Sequence, residues 1–233
     1  MEFDLVTGIK WYLVFLFSTT LHEAAHAWAA LKLGDDTAYR GGQVSLDPTP
    51  HLKREPIGMA VVPILSYLAG GWMIGWASAP YNVAWALRYP KRSALMALAG
   101  PTSNLLLVIL SALAIHIGML AGVFHPVHSP GWMTVTVAHQ DGIFTFLATM
   151  VSLTFSLNLL LCVFNLLPLP PLDGSSLILF FLGGETARKY AEFIRNPALS
   201  LPGLFIGWKL FGTIYPPIQA WAVNLLYWGR HYA

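Results

Sequence analysis

The sequence predicts an all-α polytopic membrane protein with about five to six transmembrane or re-entrant helical segments. Three observations carry this. Of 233 residues, 56% are hydrophobic and only 10% are charged, whereas a soluble domain carries about a quarter charged residues. Several uncharged runs approach or exceed the roughly 20 apolar residues a helix needs to cross a hydrocarbon core. Nine Trp, nine Tyr and 13 Phe supply the bulky rings that settle at membrane interfaces.

The first apolar segment, 11–33, contains His22, Glu23 and His26, which are costly in lipid. A polar stretch follows, in which the weak alternation of 40–46 predicts a short membrane-associated β segment, ended by the turn signals Asp47-Pro48 and Thr49-Pro50. Residues 57–79 are uncharged but interrupted by Pro63, Gly70, Gly71 and Gly75. Two further uncharged runs, 93–124 and 142–172, flank a loop at 122–141 without Lys or Arg; 183–197 is polar and helical in pattern, and 197–228 is apolar with a Pro216-Pro217 break. No repeat, long linker or low-complexity tract divides the chain, so 1–233 reads as one integral-membrane domain.

Lys and Arg set orientation. Arg88, Lys91 and Arg92 precede the third run and Arg188, Lys189 and Arg195 follow the fourth, so these runs form a hairpin with both ends in the cytoplasm. Lys32, Arg40, Lys53 and Arg54 are also basic and precede 57–79. A single crossing there would put basic regions on opposite sides, and a glycine-broken, re-entrant path removes the conflict. Irregular backbone at membrane depth is tolerated where protein buries it. Glu2 and Asp4 make a poor n-region, and no small-residue cleavage site follows the first run, so the N-terminus is not a removable signal.

Composition also excludes partners. A net charge of +2 without a basic cluster argues against nucleic acid. The single cysteine, Cys162, has no internal disulfide partner and reads as a small buried hydrophobe.

His22-Glu23-Ala24-Ala25-His26 is H-E-x-x-H. On a helix, residues four apart share a face, so both imidazoles reach one ion. Zinc accepts imidazole nitrogen in a tetrahedral site, and a catalytic site keeps one position for water. Glu23 stands where it can take the proton as that water attacks a carbonyl. A third protein ligand is needed, and the chain offers only six Asp and five Glu. Asp173 stands out because it follows a long uncharged run, and Pro168, Pro170 and Pro171 forbid a regular helix before it. Its competing reading is an N-cap for a helix starting near Ser175.

These residues resemble the site-2 protease family, the intramembrane zinc metalloproteases, in a compact prokaryotic form. Three blocks carry the resemblance: Leu21-His22-Glu23-Ala24-Ala25-His26-Ala27, Ala99-Gly100-Pro101-Thr102-Ser103-Asn104, and the segment from Phe164-Asn165 through Pro168, Pro170 and Pro171 to Asp173-Gly174. A looser fourth match runs from Gly42 to His51 and on to Pro56-Ile57-Gly58, and no PDZ domain is visible. The resemblance implies one Zn2+, held by His22, His26 and Asp173, with Glu23 as general base. It implies that Asn165 helps hold substrate or the developing oxyanion, and it places Asn104 near the active site. The competing reading of both asparagines is interhelical hydrogen bonding. The implied partners are the bilayer and a transmembrane protein or peptide substrate, cut in regulated intramembrane proteolysis at a prokaryotic cell membrane. One departure bears on substrate gating: Gly75-Trp76-Ala77 is followed by Ser78-Ala79-Pro80, where many compact relatives carry Lys-Pro.

The remaining histidines carry no expected chemistry. His51 reads as a surface or structural residue, His125, His128 and His139 as solvated loop residues, and His116 as a satisfied buried one. The alternative function is a non-enzymatic membrane zinc carrier or scaffold, which would spread its ligands along a path rather than gather them at one point.

Overall fold

The computed structural model describes residues 4–228; Glu2, used above in judging the N-terminus, lies outside them. Helix α1 spans Leu5–Leu33, capped by the Asp4 carboxylate on Val6 N–H and ended by Gly34 in the left-handed region at φ 103°. Two short helices follow, α2 (Thr37–Arg40) and α3 (Thr49–Arg54). A π-helical turn, Ile57–Val61, leads into α4 (Val62–Gly70). After an irregular stretch come α5 (Val83–Arg88) and α6 (Pro90–Leu120), the hairpin β1 (Phe124–Gly131) and β2 (Thr134–Ala138), and α7 (Ile143–Asn165). A proline-rich loop leads to α8 (Gly174–Leu177), then α9 (Gly184–Ile194) and α10 (Ser200–Leu226).

Helices α1, α6 and α7 pack against one another and form the scaffold. Their polarity is inverted relative to a soluble bundle. Leu105, Leu106, Ile109, Leu110, Leu113 and Ile117 of α6 are exposed, while Ser18, Thr20, His22, Glu23, His26, Asn104, Ser152 and Asn158 are buried. An apolar exterior around a polar interior suits lipid rather than water as the surrounding solvent. Among the described residues, α6 and α7 are long and apolar enough to cross a membrane. Helix α1 has the length, at 29 residues, but carries the polar centre.

The expected β segment at 40–46 is absent. Arg40 closes α2, and Gly41-Gly42 turns the chain with Gly42 at φ 75°. Gln43 N–H then bonds back to the Ala38 carbonyl, and its side chain reaches the Ser78 carbonyl. With its donor used locally and no strand alongside, the segment stays irregular. The strands lie instead at 124–138, where Phe124 pairs with Ala138 and His125 with Val137. Thr134-Val-Thr-Val is the alternation that marks β2, whereas Pro126 and Pro130 disguise β1 as loop. The Pro216-Pro217 pair does not break α10, which runs through both.

The 57–79 segment doubles back on itself. Gly71 ends α4 at φ 75°, and the returning chain brings Trp76 N–H to the Gly58 carbonyl at 3.1 Å. Gly58 and Gly75 make the close approach possible. A Cβ on Gly58 would clash with the Trp76 carbonyl and lie 2.8 Å from the Trp76 ring, and one on Gly75 would clash with the Gly58 carbonyl. Gly58→Ala is therefore expected to destabilise the protein by about 1–3 kcal/mol, measured as a lower melting temperature in detergent. Ser78 anchors the returning chain, its hydroxyl donating to the Glu55 carboxylate at 2.5 Å and its carbonyl accepting from Arg54 Nε at 3.1 Å.

Candidate metal centre

Four residues from two distant parts of the chain converge at the middle of the bundle. His22 and His26 lie one turn apart on the buried face of α1, with ring centroids 4.6 Å apart. Asp173 comes from the loop after α7. It occupies the N-cap position of α8 but makes no capping hydrogen bond. Its Oδ2 lies instead 3.2 Å from His22 Nε2 and 3.3 Å from His26 Nε2, so the carboxylate is spent on the histidines rather than on the helix. Glycine at 174 is required by the turn that presents it, because any Cβ there would collide with the Leu166 and Leu167 carbonyls.

This triangle fits a tetrahedral ion. The two Nε2 atoms are 3.0 Å apart. With zinc bonds of about 2.0–2.2 Å, neighbouring ligands in a tetrahedron stand roughly 3.3 Å from each other. The edges here are 3.0, 3.2 and 3.3 Å. Chemistry agrees with geometry. His26 Nδ1 lies 2.8 Å from the Met96 carbonyl, and His22 Nδ1 lies 2.6 Å from Asn104 Oδ1. Each oxygen accepts the Nδ1 proton and leaves a lone pair on Nε2. Two such lone pairs and a carboxylate oxygen facing each other in a buried site repel unless a proton or a metal cation lies among them. Two imidazoles and one carboxylate are a ligand set that zinc uses in hydrolytic enzymes. Glu23 is buried beside them, with its carboxylate and both imidazoles within 4.8 Å of one another.

Gly100 of α6 brings its backbone close against both imidazoles. A Cβ there would lie 2.5 Å from His22 Nε2 and 2.6 Å from His26 Cε1. Both imidazoles thus face bare backbone.

The structure gathers His22, Glu23, His26 and Asp173 at one point. Asn104 sits directly behind His22, fully buried, with its Oδ1 on the imidazole and its Nδ2 donating to Asn158 Oδ1 at 2.8 Å. Both ends of its amide are thus engaged, one by the His22 imidazole and the other by Asn158. Asn165 is not joined to the cluster. It ends α7 half-buried, its Nδ2 donating to the Leu161 carbonyl one turn back at 3.0 Å. Asn158 and Ser18 were not anticipated. Asn158 Nδ2 donates to Ser18 Oγ at 2.9 Å and to the Thr154 carbonyl at 2.8 Å, and both side chains are fully buried. A signal existed: Ser18 and His22 are four apart on α1, on one face, and an asparagine in an apolar helix needs a partner. His51 has a structural role, buried with Nε2 against the Ser45 carbonyl at 3.1 Å. His116, expected buried, is exposed on α6, and His125 and His128, expected in a loop, lie in β1.

The class of protein follows from where this donor set sits: a bundle of apolar-faced helices around a buried His-Glu-His cluster that could hold a metal ion. The sequence matches peptidase family M50 across residues 11–206. The chain belongs to that family. It is 37% identical over 164 residues to a Bacillus subtilis protein named "Putative zinc metalloprotease YwhC", a match covering 70% of this chain and 64% of that protein. Two mycobacterial proteins named "Putative zinc metalloprotease Rip2" are also similar. The one from Mycobacterium tuberculosis strain Erdman is 32% identical over 213 residues, covering 91% of this chain and 70% of the relative. The one from Mycolicibacterium smegmatis is 28% identical over the same length and shares. No solved structure matches the chain significantly.

Proposed function

We propose that the chain is a zinc metalloprotease that hydrolyses peptide bonds in or near the transmembrane segments of membrane proteins. The observation that carries the reading is the convergence of His22, His26 and Asp173 at ligand spacing, with Glu23 adjacent, inside helices whose outer faces are apolar. When bound, zinc supplies a Lewis acid for the scissile carbonyl and acidifies a water. The chain's own residues do the rest. His22, His26 and Asp173 hold the ion. Glu23 takes the proton of the attacking water and passes it to the leaving amine. The buried hydroxyls and amides of α1, α6 and α7 keep the interior polar enough to admit the water that hydrolysis consumes. Substrate reaches the centre as a transmembrane helix, locally unwound so that its carbonyl is exposed. The protein crosses the membrane several times, with the ends of the α6–α7 hairpin in the cytoplasm, following the basic residues at 88–92 and 188–195.

A zinc carrier or scaffold is less well supported, because the ligands gather at a single point beside a base. The test uses purified protein in detergent with membrane-protein substrates. One zinc per chain and cleavage that a chelator abolishes and zinc restores are expected. Full cleavage by the zinc-free protein, or zinc flux into proteoliposomes without any cleavage, would overturn the reading.

A further inference from the structure

The proton position on each zinc-side histidine is set by a backbone carbonyl, and we propose that Asn158 is the positioning residue that transmits one of these settings to His22. For His26 the control is direct. A carbonyl can only accept, so the Met96 oxygen 2.8 Å away requires the proton on Nδ1 and leaves the Nε2 lone pair facing the site.

His22 has no carbonyl behind it. It faces the Asn104 amide at 2.6 Å, and an amide can face either way. Turned over, Asn104 would donate to Nδ1 and drive the imidazole proton onto Nε2, where it blocks a metal. Asn104 in turn meets Asn158, another reversible amide, at 2.8 Å. The ambiguity ends one step further on. Asn158 lies 2.8 Å from the Thr154 carbonyl in its own helix. That oxygen accepts only, so Asn158 must turn its nitrogen to it and its oxygen to Asn104. Asn104 must then turn its nitrogen to Asn158 and its oxygen to His22.

Ser18, 2.9 Å from Asn158 Nδ2, accepts the second N–H but can rotate its hydroxyl, so it does not set the direction. Ser18, Asn104 and Asn158 are all 0% exposed, which denies water the chance to replace a missing partner. The relay ties α7 through α6 to the metal-binding face of α1. Its purpose rests on the zinc metalloprotease reading, but its geometry does not.

The test reads the proton position directly. Metal-free protein labelled with 15N-histidine is prepared in detergent, with His22 assigned by its loss in His22→Ala. Wild type is expected to show His22 with its proton on Nδ1. Asn158→Leu removes the acceptor that holds Asn104. It is expected to shift the His22 proton wholly or partly to Nε2 and to weaken zinc binding, measured by chelator competition, by about 10- to 100-fold. Asn158→Asp is the rescue. Buried and neutral, its hydroxyl can donate to Thr154 while its carbonyl accepts from Asn104, so both readouts are expected near wild type. Melting temperatures report folding, and Asn158→Ala serves if the leucine variant does not fold. An Nδ1 proton and wild-type zinc affinity in the leucine or alanine variant would overturn the proposal, as would an aspartate variant that behaves like leucine. Cleavage stands apart from these readouts. A protein that binds zinc and shows the tautomer shift but cuts nothing defeats only the protease reading, and one that cuts while His22 ignores Asn158 defeats only the relay.

Discussion

Glu23→Gln is expected to purify with wild-type zinc content and to cleave a membrane substrate about 10²–10⁴-fold more slowly, the usual worth of a general base. The substitution preserves size and polarity at a buried position, so packing along α1 is undisturbed. It leaves His22, His26 and Asp173 intact, so the metal remains. What it removes is basicity, since an amide cannot take the proton of the attacking water. Zinc content by elemental analysis and cleavage of a tagged substrate on the same preparation separate the two properties. A zinc carrier predicts the opposite pattern, with zinc transport indifferent to a residue outside the ligand triangle. Full cleavage by this variant would remove Glu23 from the mechanism, and loss of zinc would instead make it a ligand.

The parts of this centre that were legible in the sequence are those governed by local periodicity and by the cost of polar groups in apolar runs. His22 and His26 share a face because they are four apart on a helix, and no other arrangement of the backbone was in contention. Asp173 was legible for a different reason: three prolines before it forbid a helix, so an acid at the end of an apolar run had to be presented by irregular chain. The N-cap alternative could be settled only by the direction of the carboxylate, which is tertiary. The apolar runs 93–124 and 197–228 matched α6 and α10 to within about four residues, whereas α1 starts earlier than 11 and the runs 57–79 and 142–172 outlast their helices. The glycines of 57–79 correctly marked a chain that turns back, because only glycine permits Gly58 and the Trp76 backbone to approach so closely.

What was not legible depends on contacts between distant segments. The strand expected at 40–46 rested on a weak alternation without an identified partner strand, and β structure needs one. The true hairpin was hidden because the prolines of β1 read as loop. Asn158 lies 54 positions from Asn104 and 140 from Ser18; nothing local reveals that these three meet. Asn165 was singled out by resemblance; its Nδ2 donates to the Leu161 carbonyl of its own helix.

Gly100→Ala is expected to lose zinc, with affinity at least about 100-fold weaker and cleavage reduced in step. In most helices this change is favourable by roughly 0.5–1 kcal/mol, because glycine has more backbone freedom to lose. Gly100 is interior to α6, so folding alone would favour alanine. The neighbours reverse the sign. The new methyl would stand 2.5 Å from His22 Nε2 and 2.6 Å from His26 Cε1, closer than side-chain carbons tolerate. The imidazoles cannot retreat freely, since Asn104 holds one and the Met96 carbonyl holds the other. Helix α6 must therefore shift away from α1, or the rings must rotate and break those hydrogen bonds. Either response disturbs the ligand triangle. Chelator competition and melting temperature, measured together, separate this from general damage. Weak zinc binding in a protein that still melts near the wild-type temperature is the expected result. Unchanged zinc affinity would show that the ligand triangle does not depend on the close approach of α6 at Gly100.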